Sequence, residues 1–248
     1  MLFIVALVSC NEQESKTRNT LFKKYKPVVN ESFEEQLVRE IEGKLQIPRN
    51  EKYITKVYKA HLNSDNAVDA IITVNRYEFA LSEASASPNP AKVAELGYTG
   101  NYNHFFYYDG LLKKFSNPIA VASSPKAPLK VVFENIQSNV FKDITIEYRI
   151  RNSAFRNYYL IHQGAIQLMF QWKLFDAIGT SNPEVNFIAM DKGSRSSFKD
   201  ILIYPGKIVN YSPAISDIYT YNPSIVQNGA MVYRFFFEPS TLKYMTKK

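Results

Sequence analysis

Phe33, Leu37, Ile41 and Leu45 recur every four residues, which lays one apolar stripe along a helix. Ser32 and Glu35 have the spacing of a capping box at its start, and Pro48 marks its end. A helix is therefore predicted over 30–45, with its stripe packed on the rest of the body. Beyond Tyr53 the period changes from four to two. Ile144, Ile146, Tyr148 and Ile150 alternate with Thr145, Glu147, Arg149 and Arg151, the pattern of a half-buried strand. Turn-rich stretches at 82–90, 123–128, 179–183 and 211–213 separate the strands, and 91–96, closed by Gly97, reads as a short helix.

One pattern occurs three times. An apolar strand (53–62, 129–135, 185–190) is followed by a polar turn and then by a strand that opens on Asp69, Asp143 or Asp200. Each unit continues into a hairpin signal carrying glycine: Asp109-Gly110, Gln163-Gly164 and Asn228-Gly229. Each unit thus predicts two hairpins, over about 53–118, 129–175 and 185–240, with an insertion at 78–103 in the first. The expected fold is mainly β: antiparallel hairpin repeats in a partial propeller-like or sandwich-like stack, with one N-terminal helix covering an open edge. The third-unit and second-unit turns keep the final aspartate but are expected to differ from the first in spacing.

The first ten residues are an apolar run ending in Leu7-Val8-Ser9-Cys10, with a polar stretch after it. This resembles the lipobox of bacterial lipoproteins, with Cys10 as the lipidated residue. The alternative is a disordered start or a buried strand. The run is too short to span a bilayer and lacks a positive leading region, so the start of translation is expected upstream of Met1. The resemblance implies residues 1–10 as signal and lipobox, 11–29 as a polar tether, and 30–248 as the β-rich domain. Asn11 is not the aspartate of an inner-membrane retention signal, so an outer-membrane lipoprotein of the cell envelope is expected. A lone cysteine excludes an internal disulfide. The net charge of +7 is partly in the tether and at the C-terminus. There it suits an anionic membrane surface, and no nucleic-acid motif accompanies it.

The first turn reads His61-Leu62-Asn63-Ser64-Asp65-Asn66-Ala67-Val68-Asp69, followed by an apolar strand. It resembles the repeat of the FG-GAP and VCBS families, and residues 107–115 resemble the later part of that repeat. The resemblance implies blades of four antiparallel strands and a calcium loop whose ligand positions fall on Asn63, Asp65 and Asp69. Asn66 stands where a glycine is usual, and His61 replaces the first acidic ligand. Imidazole is a poor calcium ligand. The favoured reading is that Asp69, Asp143 and Asp200 accept hydrogen bonds from turn amides and fix the hairpins. Calcium is the one cofactor considered, and three units fall short of a usual closed propeller.

No catalytic constellation is legible. His61, His104 and His162 stand beside no nucleophile or metalloprotease motif, and His104 and His162 are expected to be structural. Glu34-Glu35 is expected to be a solvated pair on a helix, and no glycine-rich phosphate loop is present. Aromatic and basic clusters remain. An outward row of Tyr102, Phe106, Tyr108, Arg149 and Arg151, with Arg156 nearby, is a candidate surface for a glycan or envelope protein. The expected function is a lipid-anchored, non-catalytic envelope binding or scaffolding protein. The alternatives are an envelope hydrolase acting on a glycan or peptide, with carboxylates too distant in sequence to pair by eye, and a calcium-stabilised structural module.

Overall fold

The computed structural model describes residues 31–246. The apolar run with Cys10 and the tether 11–29 lie outside these residues, as do Lys247 and Lys248. The first described element is the predicted helix, α1 (Phe33–Leu45). Ser32 Oγ accepts from Glu35 N–H at 3.2 Å and Glu35 Oε2 accepts from Ser32 N–H at 2.9 Å, so both halves of the capping box are present. Ser32→Ala is expected to cost about 1 kcal/mol of stability, read from the urea midpoint, because Glu35 N–H loses its acceptor while the bond from Ser32 N–H to Glu35 remains. An unchanged midpoint would mean that other contacts hold the helix end.

The strands form three antiparallel units in series. The first comprises β1 (Ile54–Ala60), β2 (Asp69–Asn75), β3 (Gly100–Asp109), β4 (Lys114–Phe115) and β5 (Ile119–Ser123), with β4 and β5 both paired to β3. The second is a meander of β6 (Lys130–Glu134), β7 (Asp143–Ile150), β8 (Ser153–His162) and β9 (Ala165–Asp176). The third holds β10 (Glu184–Asp191), β11 (Asp200–Ile208), β12 (Ile225–Gln227), β13 (Tyr233–Glu238) and β14 (Lys243–Met245). Units two and three touch edge to edge where Asp176 meets Glu184 and Phe175 meets Val185, which makes them one nine-stranded sheet. The result is a mainly-β, two-sheet antiparallel fold without a closed barrel.

Apolar layers explain the order. Leu37 and Ile41 of α1 pack on Ala70, Ile72, Val74 and Phe106 of the first unit. Its opposite face, with Ile71, Phe105 and Tyr107, meets Ile144, Ile146 and Tyr148 of the second. The second unit's Tyr158, Leu160 and Phe170 then meet Ile201, Ile203 and Phe235 of the third. Strand β2 is buried at every position because both its faces are covered. Helix α1 therefore covers a sheet face, where an edge was expected.

The three aspartate turns are one structure repeated. Ala60 pairs Asp69, Glu134 pairs Asp143, and Asp191 pairs Asp200, so the turns 61–68, 135–142 and 192–199 have equal length. The expected difference in spacing is corrected: the polar letters within the turns vary, but the strand register places all three aspartates at the same distance from the preceding strand. The second and third turns each dock on the one before. Lys142 N–H donates to His61 O at 2.8 Å and Lys199 N–H to Ile136 O at 3.0 Å.

Three further expectations change. The insertion carries α3 (Ala91–Glu95), the short helix expected before Gly97, and also a helix that was not expected, α2 (Tyr77–Ala86). The Ser- and Ala-rich stretch after residue 81 reads as turn, but small residues let Ala80 and Ala84 bury closely. The start of α2 is held by Arg76, which grips Glu51 at 2.6 and 2.7 Å. Asn228-Gly229 is not a hairpin turn. Strands β12 and β13 both pair with β11, on either side of Pro205, whose missing N–H interrupts the ladder. Gln163-Gly164 is a hairpin turn as expected, with φ of 51° and 74°. His162, just before it, is exposed and not packed.

Candidate functional site

Two places gather chemistry. The first is the aspartate turn of the first unit. Asp65, Asp69 and Asp109 bring carboxylate oxygens within 4.8 Å of one another. Asp109, from the Asp-Gly hairpin, was not among the residues expected there. It arrives because Gly110 passes so close to Val68 that a Cβ would sit 2.1 Å from the Val68 carbonyl oxygen. Asn63 turns away: its Oδ1 accepts from Asp65 N–H at 2.8 Å and its Nδ2 donates to the Tyr107 hydroxyl at 3.2 Å. Oxygens alone suit a hard cation. The oxygens of Asp69, however, already accept three donors: Leu62 N–H at 3.1 Å, Gly110 N–H at 3.0 Å and the Tyr107 hydroxyl at 3.3 Å. Burial pushes the Asp69 carboxyl up, against those N–H groups. His61 Nδ1 lies 2.9 Å from the Ala67 carbonyl within the turn.

The second place is a cleft of about 560 Å³ between the second and third units. It exists because the polar face of β7 is not solvated. Glu147 and Arg149 line the cleft, Thr145 on the same face bonds Glu134 at 2.8 Å, and Arg156 lies opposite Glu147 on β8. Lys126 and Lys130 add two more cations, and Glu147 is the one carboxylate among the described lining residues. Its role is taken. Glu147 bonds Arg156 Nε at 3.0 Å and Lys130 Nζ at 3.0 Å. Burial alone would raise its carboxyl, but Arg156 and Lys130 hold it below the usual range.

Arg149 is placed differently. Its Nη2 donates to the Tyr221 carbonyl, its guanidinium lies 4.4 Å from the Phe175 ring centre, and its buried Nη1 has no partner among the described residues. Burial pushes it down to about 10, with Glu147 and Asp217 opposing, so it stays charged at neutral pH. The walls are pinned from outside the cleft. Asn103 Nδ2 donates to the carbonyls of Ser124 and Ala127 and fixes the turn that carries Lys126. Asp217 accepts from Tyr219 N–H and the Thr220 hydroxyl, each at 2.8 Å, and fixes the turn that carries Tyr219. Lys126 Nζ sits 5.2 Å from the Tyr219 ring centre.

Of the expected outward row, only Arg149 reaches this cleft. Phe106 is 0% exposed beneath α1. Tyr108 packs edge-on to Phe33 at 5.1 Å and against Phe115 at 4.8 Å. Tyr102 lies against Phe79 of α2. These alternate positions of β3 share the face that the helices cover, so the row is corrected. Arg151 sits in the β7–β8 turn at φ 54° and caps the insertion by bonding the Tyr98 hydroxyl. Glu147 and Arg156 were visible as opposite charges but need the hairpin register to pair. Lys126, Phe175 and Tyr219 carry no sequence signal for this site. His104 is buried with Nδ1 unpartnered and is pushed down by burial and by Arg76.

Comparison with protein-family models, with curated proteins and with solved structures gives no match to this chain. Among the described residues no helix is long and apolar enough to cross a membrane.

Proposed function

We propose that this chain is a non-catalytic binding protein of the cell envelope, held at the outer membrane by acyl chains on Cys10, and that the cleft between its second and third units takes the ligand. The observation that carries the binding half is Arg149: a buried cation with an unused donor, in a walled cleft whose single carboxylate is locked into ion pairs. A hydrolase of glycans would call for two carboxylates flanking the scissile bond, and Glu147 has no carboxylate partner among the described residues that line the cleft. The anchoring half rests on Leu7-Val8-Ser9-Cys10.

Two measurements test it. Mass spectrometry of the N-terminal peptide from native membranes is expected to find an acylated Cys10; an unmodified cysteine sinks the anchor. The purified protein, incubated with envelope polysaccharides and peptides, is expected to bind without releasing product. Product release that Glu147→Gln abolishes would establish the hydrolase instead.

A further inference from the structure

Resting on the binding role of the cleft, we propose that its ligand is an acidic sugar residue whose carboxylate is held by Arg149 and Lys126. Charge comes first. Four cations line the cleft, Lys126, Lys130, Arg149 and Arg156; Glu147 forms ion pairs with two of them, and Asp217, engaged in its own turn, acts on Arg149 and Lys126 only through its charge, which leaves Arg149 Nη1 and Lys126 Nζ for a ligand. Their donors are few. Nη1 of Arg149 is unpartnered and Lys126 Nζ rests over a ring, so the pair suits the two oxygens of a carboxylate. A phosphate, with more oxygens and more charge, calls for a richer set of amides or guanidiniums than these two side chains supply.

The rest of the lining describes a sugar. Tyr219 and Phe187 present aromatic surface, and an aromatic face with its negative quadrupole attracts the C–H side of a pyranose ring. Asn186, Asn222 and Thr220 offer neutral donors and acceptors suited to hydroxyl groups. A space of about 560 Å³ lies within the range of small-ligand sites.

The test is calorimetric, with the whole protein and three probes: an oligoglucuronide, the neutral oligoglucoside of the same linkage, and inorganic phosphate. The oligoglucuronide is expected to bind at least about tenfold more tightly than either other probe. Lys126→Gln and Arg149→Gln are each expected to weaken it about tenfold, the size of one lost charge-assisted hydrogen bond. Arg149 also touches Phe175 and Tyr221, so Lys126→Gln, at a half-exposed position, keeps the test decisive if Arg149→Gln misfolds. Equal affinity for the neutral oligoglucoside, unmoved by Lys126→Gln, overturns the acidic-sugar proposal and leaves the binding role standing. Phosphate bound as tightly as the glucuronide overturns it in favour of simple anion capture. If none of the probes binds, and a broad array of envelope glycans and peptides also gives nothing, both readings fall.

Discussion

Asp69→Ala is expected to lower the unfolding free energy by about 3 kcal/mol, seen as a loss of urea midpoint. The substitution strips three donors of their acceptor at once: Leu62 N–H, Gly110 N–H and the Tyr107 hydroxyl. A buried donor left unpaired costs about 1–3 kcal/mol. Part of that is returned, because burial already works against the Asp69 charge. Asp69→Asn keeps the shape and is still expected to cost about 2 kcal/mol. Both carboxylate oxygens are in use, so one of the donors must then face an amide NH₂. The same saturation bears on metal. Calcium in excess is expected to leave the melting temperature unchanged, since a cation would have to displace or share those donors. A calcium-dependent rise would instead make Asp65, Asp69 and Asp109 a metal centre.

The framework that holds Asp69 is legible in the chain, and the cleft is not, for a physical reason. Ser32 and Glu35, the aspartates that open β2, β7 and β11, and Asp109-Gly110 act over a few residues, and local chemistry leaves a local signature. What surrounds a strand is not local. The period of two in β7 separates Ile144, Ile146 and Tyr148 from Thr145, Glu147 and Arg149. It does not reveal that the polar side meets the third unit and not water. The same blindness turned Phe106 into a candidate contact: its alternation is right, and a helix from 60 residues or more upstream covers it. The cleft needs residues from the 124–127 turn, from β7 and β8, and from the 217–225 segment, and their approach is a product of how three units stack.

The second aspartate of the series reverses the first. Asp143 is 1% exposed, and its Oδ2 accepts both Ile136 N–H at 3.0 Å and Gln137 N–H at 2.8 Å. Its Oδ1 is buried without a partner among the described residues. Burial dominates, the two N–H groups and the nearby Gln137 side chain oppose it, and Glu134 adds repulsion, so the carboxyl is pushed up to about 6. The neighbouring Tyr244 hydroxyl is pushed up by its own burial and by the charges of Asp143 and Asp200. A carboxyl raised on folding makes the native state bind the extra proton between about pH 4 and about pH 6. Stability is therefore highest below that window with respect to this group, falls as pH rises through it, and stays lowered above it. A shift of about two pH units corresponds to about 3 kcal/mol at most. Asparagine has the shape of the protonated acid and carries no charge. Asp143→Asn is thus expected to match the wild type at pH 4 and to exceed it by about 2 kcal/mol at pH 7, after some loss to its own unpaired NH₂. Paired urea titrations at the two pH values read this directly, because the difference between variant and wild type cancels the groups they share. A variant weaker than the wild type by the same amount at both values would mean that Asp143 is held like Asp69, with both oxygens engaged. The three turns share one register but divide the work: Asp69 ties two hairpins together, Asp200 is paired with Arg234 at 2.8 Å, and Asp143, in the middle unit with another unit packed on either side, keeps its charge at the expense of stability.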